Sequence, residues 1–355
     1  MSMPRRSLGR TGIDVSALCL GSMTWGSQND GDQAAAQIDC ALDAGVDFID
    51  TAEMYPTTPM SADTQGRTES IIGDWLKASG RRDDVVLATK CVGNGAAWMI
   101  GGGVDIDGAK LRRSLEGSLT RLNTDHVDLY QLHWPNRGSY HFRQQWTYDP
   151  SGQTGPYSQE HVRGNVLDVL ETCEKLVTEG KIRAVGLSNE SAWGVMQFVE
   201  LARARGLPRV ASVQNEYSLL CRLFDTDLAE VAHHENCGLL AFSPLAAGVL
   251  SDKYADGKAP PKGSRRALND TLSGRWTAKS RAASEAYAAL ARAHGMEPAQ
   301  LALAFCLSRP FMTSVIIGAT DMAQLDVNLS AADIVLDEAT LGEIDAIHRA
   351  HPMPM

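Results

Sequence analysis

The 355-residue sequence has no Cys-x-x-Cys pair, no long apolar run and no excess of positive charge. Each absence closes a class of protein. The seven cysteines (Cys19, Cys40, Cys91, Cys173, Cys221, Cys237, Cys306) are odd in number and scattered, which suits reduced thiols in a cytoplasmic protein rather than a disulfide frame. The longest apolar stretch, 238–250, is short and broken by Ser243 and Pro244, so no membrane span is expected. The opening residues MSMPRRSLGRTG lack the apolar core of a secretory signal. A net charge of -10 argues against nucleic-acid binding, which requires a basic face. No close grouping of His, Asp and Glu has metal-ligand spacing, so no metal is expected. The dinucleotide fingerprint GxGxxG is missing too: the first strand-to-helix turn reads LCLGSMTWG.

What is present is a repeat of strand and helix. With 44% hydrophobic and 21% charged residues the chain is an ordinary globular protein, long enough for a large core, and is read as one domain over 1–355. Residues 4–15, with Gly9 and Thr11-Gly12, suggest a β-hairpin. Short apolar strands are then expected at 17–20, 48–50, 85–89, 127–132, 182–187, 210–213, 238–242 and 313–317. Helical patterns fall between them, at 32–43 with Asp32 as N-cap, 69–78, 107–122, 166–178, 195–204, 228–234, 282–294, 298–308 and 322–331, and a last amphipathic helix covers 338–350. Near-continuous apolar strands alternating with helices indicate an α/β protein whose parallel sheet is buried on both faces. Eight such units point to a (β/α)8 TIM barrel with an N-terminal hairpin, long loops after strands 4 and 7, and a C-terminal helix. A doubly wound sheet is the alternative.

The stretch VDFIDTAEMY organises the rest. Its strand stops at a charge, Asp50, and a phenol, Tyr55, follows five residues later. Other expected strands stop at Lys90, His133, Ser188, Asn189, Gln214 and Ser243. A buried Asp or Lys is rare unless paired, and alone each could be a structural ion. Together, at the C-terminal strand ends of a barrel, they read as an active site. A phenol titrates near ~10, and a neighbouring Lys90 ammonium is expected to lower that value, with Asp50 holding the lysine. His133 would orient a substrate oxygen by a hydrogen bond. Such a tetrad has no strong nucleophile, so redox or isomerase chemistry fits better than acyl transfer.

GVDFIDTAEMY, TESIIGDWL, ATK, YQLHWP, KIRAVGLSNE, VQNEYSLL, FSPLAAGVLSDKY and IIGATDMAQLDVNL together resemble the aldo-keto reductase superfamily along nearly the whole chain. The likeness is to the bacterial NADP(H)-dependent branch related to potassium-channel β-subunits. It implies a barrel reductase with Asp50, Tyr55, Lys90 and His133 as catalytic residues. It also implies a nicotinamide carboxamide held by Ser188, Asn189 and Gln214, with Tyr217 stacked on the ring. Phe242, Ser243, Pro244, Leu245, Ala246, Gly248 and Leu250 match the pyrophosphate loop. Lys253 and Arg265 match the cations at the adenosine 2'-phosphate, with Lys262 and Arg266 nearby, and this local charge favours NADP(H) over NAD(H). Gly318, Thr320, Gln324 and Asn328 match contacts at the start of the last barrel helix, where an anion suits the N-terminus. Ser22, Met23, Gln28 and Asp50 complete the cofactor lining.

The implied reaction is reduction of aldehydes or ketones, with small or aromatic aldehydes, including α-oxoaldehydes, favoured by an apolar pocket of Trp25, Met54, Trp98 and Trp134. Trp146 and Trp276 are read equally well as rim packing. The loops 91–108 and 135–160 are expected to set substrate choice. Two other readings compete: an NADPH-binding regulatory subunit of the channel β-subunit type, and a lyase using Lys90 as a Schiff-base nucleophile. Expected partners are a small carbonyl substrate and, as an open question of assembly, further copies of the chain in a homo-oligomer.

Overall fold

The computed structural model describes residues 3–152, 157–255 and 259–355. Part of the expected long loop, 153–156, lies outside them. The chain opens with a hairpin, β1 (Arg5–Ser7) and β2 (Asp14–Ser16), paired antiparallel. Eight parallel strands follow: β3 (Leu18–Gly21), β4 (Phe48–Asp50), β5 (Val86–Cys91), β6 (Val127–Leu132), β7 (Ile182–Ser188), β8 (Val210–Glu216), β9 (Gly238–Phe242) and β10 (Met312–Ile317). They close in chain order, with β10 pairing β3. The fold is the expected (β/α)8 TIM barrel.

The helices are α1 (Gly31–Asp43), α2 (Arg67–Ser79), α3 (Gly108–Leu122), α4 (Gln159–Thr178), α5 (Ala192–Arg205), α6 (Asp227–Glu235), the short α7 (Arg265–Leu268), α8 (Ala278–Ala293), α9 (Pro298–Ser308), α10 (Met322–Ser330) and α11 (Glu338–Ala350). Their apolar faces meet the outward side chains of the strands in one large core. The expected cap Asp32 is corrected to Asp30: the Asp30 side chain accepts Gln33 N–H while the Gln33 side chain accepts Asp30 N–H. Helix α4 begins seven residues before the expected start. Ser158 caps it by accepting His161 N–H, and its polar first turns hid the periodicity.

Strand alternation explains where polarity can go. Phe48, Ala88 and Leu129 share one cluster inside the barrel with Leu8, Ile13 and Val15 of the hairpin segment. The hairpin therefore plugs the N-terminal end. Gly9, at φ +58, lets it seat: a Cβ there would lie 2.6 Å from Ala211 O. Two residues further along the same strands, Asp50, Lys90 and Gln131 form the next layer toward the C-terminal end, with Gln214 beside them. That layer is polar, and it faces the mouth.

Candidate active site

The four residues singled out in the sequence come together at this mouth. Asp50 ends β4, while Lys90 lies within β5, which continues to Cys91 rather than stopping before the lysine. Lys90 is fully buried, with Nζ donating to Asp50 Oδ2 at 2.6 Å and to Thr51 O at 2.8 Å. The other carboxylate oxygen, Oδ1, accepts from Gln131 Nε2 at 3.0 Å and Gln214 Nε2 at 2.8 Å. A buried ion pair is tolerated only when its remaining valences are filled in this way. Burial works against the Lys90 charge, but Asp50 and Tyr55 outweigh it and hold the ammonium above its ordinary range.

Tyr55 Oη lies 3.4 Å from Lys90 Nζ, and the ammonium stands 4.8 Å from the ring centroid. One expectation is corrected here. Burial raises the Tyr55 pKa by more than Lys90 and Arg265 lower it, so the phenol titrates above 10 rather than below. Tyr55 is thus held as a neutral proton carrier, with an ammonium beside it that stabilises the phenolate left after donation. His133 follows β6, its ring 5.8 Å from that of Tyr55. Burial, with Lys90 next, pushes the imidazole well below its usual range, so it is neutral, and its Nδ1 is buried without a partner.

Around this core the other predicted positions sort unequally. Ser188 ends β7 and Asn189 follows it beside His133: Asn189 Nδ2 donates to His133 O at 2.9 Å and to Ser188 Oγ at 3.1 Å, while Asn189 Oδ1 is buried with no partner. Ser22 Oγ donates to Asp50 O at 2.8 Å. Gln214 serves Asp50. Tyr217 is fully buried, donating to Asp225 Oδ1 at 2.6 Å and stacked on Phe305 at 6.1 Å. As placed, its ring belongs to the rim packing. After β9, Ser243, Ala246, Ala247 and Gly248 all have positive φ, and the turn closes on itself, with Ala246 N–H donating to Ser243 O and Gly248 N–H to Leu245 O, each at 2.8 Å.

Lys253 and Arg265 are near neighbours, since each cation is lowered by burial first and by adjacent positive charge after it: Arg265 acts on Lys253, and Arg275 on Arg265, which sits at about 10. Arg266 is half-buried and stacks 4.2 Å from the Trp276 ring centroid. Gln28 Nε2 donates to Gly263 O at 2.7 Å, tying the first barrel loop to the loop after β9. At α10 the expected anion site is already capped by an acid: Asp321 accepts Gln324 N–H and binds the Gln324 side chain. Thr320 also bonds Gln324, and Asn328 Nδ2 donates to Gly318 O at 3.2 Å.

The apolar pocket needs one correction. Trp25 is 0% exposed, packs in the outer core and donates to Gln37 Oε1 at 2.9 Å. It faces α1, not the mouth. Met54 packs with Tyr55, Val92, Met99, Ile100 and Trp134. Trp134 lies 4.9 Å from the His133 ring, and Phe142, from the 135–160 loop, stands edge-on to it at 6.3 Å. Trp98 is 50% exposed on its loop. The loop after β6 is fastened by ion pairs of Arg137 with Glu190 and Arg143 with Glu216; Arg275 also binds Glu216, at 2.6 Å, so both long loops meet on one carboxylate.

Residues 17–349 match the model of the aldo/keto reductase family. The chain belongs to that family. It is 39% identical over 355 residues to "Protein tas" of Escherichia coli K12, covering 99% of each chain. It is 35% identical over 344 residues to "Uncharacterized oxidoreductase YrpG" of Bacillus subtilis, covering 96% of this chain and 94% of that one. Against the "Probable voltage-gated potassium channel subunit beta" of Oryza sativa subsp. japonica the identity is 30% over 366 residues, covering 99% and 98%. As an aldo/keto reductase the protein is an oxidoreductase of small carbonyl compounds that uses a nicotinamide cofactor. The residues present suit one: the orphaned Asn189 Oδ1 can accept from a carboxamide NH2. Among the described residues no helix is long and apolar enough to cross a membrane, and no group of three metal-binding side chains occurs.

Proposed function

We propose that the protein reduces aldehydes or ketones to alcohols with NADPH, in the cytoplasm. The observation that carries the reading is the Asp50–Lys90–Tyr55 chain, an ion pair at 2.6 Å touching a phenol at 3.4 Å beside a neutral imidazole. When bound, a reduced nicotinamide supplies hydride to the carbonyl carbon. The chain's own residues do the rest. His133 donates a hydrogen bond that orients the carbonyl oxygen. Tyr55, kept protonated by burial, gives its proton to that oxygen as negative charge develops there. Lys90 stabilises the phenolate that remains, and Asp50, braced by Gln131 and Gln214, keeps Lys90 in place. Ser188 and Asn189 would hold the carboxamide, and Lys253 with Arg265 would meet phosphate charge, which favours NADPH over NADH.

The aromatic wall running from His133 through Trp134 to Phe142, with Met54 and Met99 nearby, supports aryl or small apolar aldehydes as substrates. A Schiff-base role for Lys90 loses ground, because an ammonium held charged by Asp50 and Tyr55 offers no free amine. Tyr55→Phe tests the mechanism: kcat/KM should fall about 10²- to 10⁴-fold while NADPH binding is retained, and an undiminished rate would overturn it. Lys253→Met should weaken NADPH by about tenfold or more, as expected for one lost charge-assisted bond, and leave NADH nearly unchanged. The channel-subunit reading would return if wild-type protein bound NADPH tightly yet reduced no aldehyde, ketone, quinone or sugar.

A further inference from the structure

Three residues past Asp50, the same turn buries a second carboxyl that the reaction does not use. Glu53 is 1% exposed, and its Oε1 accepts Val92 N–H at 2.7 Å. Val92 is the first residue after β5 and the root of the 92–107 loop. That loop returns Met99 and Ile100 to pack with Met54, Tyr55 and Trp134. On the other side of the same root a lysine is buried as well. Lys110, 3% exposed in the first turn of α3, donates to Val104 O at 2.8 Å and Gly93 O at 3.5 Å. These carbonyls stand at the two ends of the loop, so one ammonium ties its base. The crest comes down on the same cluster. A Cβ on Gly101, at φ +64, would lie 3.4 Å from Lys110 Cε and 3.5 Å from both Glu53 Oε1 and Ser114 Oγ.

A buried carboxyl and a buried ammonium are costly, and their ordinary use is to pair with each other. Here they bind backbone instead: the carboxyl takes the N–H at the loop's root, the ammonium takes carbonyls at its ends, and a glycine lets the crest approach both. We propose that Glu53 is a positioning residue which, with Lys110, seats the 92–107 loop against the Asp50–Tyr55 turn and so sets how tightly the carbonyl substrate is held. The kinetic half of this inference rests on the reductase reading; the seating itself does not.

The carboxyl is also placed to respond to pH. Burial, first, lifts Glu53 to about 7, with the Val92 N–H opposing and Glu69 of α2 adding to the lift; Arg121 and Ser114 of α3 work against it. Lys110 and, from β5 and β6, Cys91 and Tyr130 complete its surroundings. As pH rises through about 7 the carboxylate forms in a site whose burial favours the neutral group. The seated loop should lose ground, and KM should rise.

The test uses Glu53→Ala, Glu53→Gln and Gly101→Ala, each compared with the full-length wild type. Hydrogen–deuterium exchange over 92–107, with no substrate present, reads the seating independently of any activity. Glu53→Ala should speed exchange there by about tenfold. With a reducible aldehyde it should raise KM by about tenfold, the loss of one buried hydrogen bond, with kcat and NADPH affinity little changed. Glu53→Gln keeps an acceptor for Val92 N–H, so it should restore exchange and KM near pH 7 but abolish the rise of KM between pH 6 and 8. Gly101→Ala, which leaves Glu53 intact and sits on the exposed crest, should speed exchange in the same segment. Unchanged exchange in both Glu53→Ala and Gly101→Ala would overturn the seating. A kcat loss without a KM change, or Glu53→Gln as damaging as Glu53→Ala, would overturn the positioning role. If wild type reduces no carbonyl, the reductase reading fails while the exchange result still judges the loop.

Discussion

Asp50 and Glu53 lie on one turn, are equally buried, and face opposite sides of β5. Asp50 points into the barrel and is bound by a lysine and two amides. Glu53 points toward α3 and is bound by the Val92 N–H and the Ser114 hydroxyl, with its cations at a distance. The inner carboxylate is an ion held in a filled cage, and its partner Lys90 stays charged against burial. The outer one is left under-compensated and is lifted to about 7. The difference shows that burial alone does not decide what a carboxyl does. The number and charge of its donors do, and on this turn they divide the chemistry from the support.

The largest expected effect comes from emptying the inner cage. Asp50→Ala leaves Lys90 buried without its counter-charge, so the protein should lose about 3–5 kcal/mol of stability, the usual cost of breaking a buried pair from one side. It should also lose nearly all turnover, because Lys90 no longer has a fixed place beside Tyr55. Denaturant melts and steady-state rates check both. A variant that stays active would mean that Gln131 and Gln214 suffice to hold the layer.

A smaller effect of opposite sign is expected outside. Glu53 carries its proton up to about pH 7 in the folded chain, against an ordinary 4.5. Between those values the unfolded chain has released a proton that the folded chain keeps. Stability from this group is therefore full below pH 4.5, falls as pH rises toward 7, and is level above that. The fall is at most about 3 kcal/mol at 1.36 kcal/mol per pH unit. Glu53→Gln removes it, so the stability difference between variant and wild type should move in the variant's favour across pH 4.5 to 7 and then stay constant. Denaturant midpoints at half-unit pH steps check this, and parallel curves would mean that Glu53 titrates normally.

The same contrast explains what was legible in the sequence. Asp50, Tyr55, Lys90 and His133 stand where short apolar strands meet polarity, so strand reading and family likeness both reach them. Their surroundings are less visible. Gln131 lies inside YQLHWP, one residue before the strand ends, and looks like a lapse in an apolar run until β6 is set beside β5 and β4. Glu53 reads as one more polar loop residue, because its importance comes from Val92, Gly101 and Lys110, distant in the chain. Trp25 failed for the converse reason: an aromatic in a loop after a strand looks like a pocket wall, and only packing against α1 reveals it as core. The pKa of Tyr55 needed a magnitude, since the sequence supplied the lysine that lowers it but not the burial that outweighs it.

Thr89 separates the two faces most finely. It sits next to Lys90 on β5 but points outward, where Oγ1 donates to Glu69 Oε1 at 2.6 Å and Arg121 holds the other carboxylate oxygen at 2.7 Å. Thr89→Val keeps the shape and the β-branch and removes one donor to a buried carboxylate. Arg121 remains, so the expected cost is about 1–2 kcal/mol, near the low end for a bond to a charged group. Because Thr89 touches nothing inside the barrel, kcat should stay at its wild-type value where the variant is folded. Glu69 raises Glu53 through space, and losing the Thr89 hydroxyl leaves more of the Glu69 charge unscreened. The pH at which KM rises should then move slightly upward. Rates measured from pH 6 to 8 test this, and a change in kcat would mean that the two faces of β5 are coupled through the strand itself.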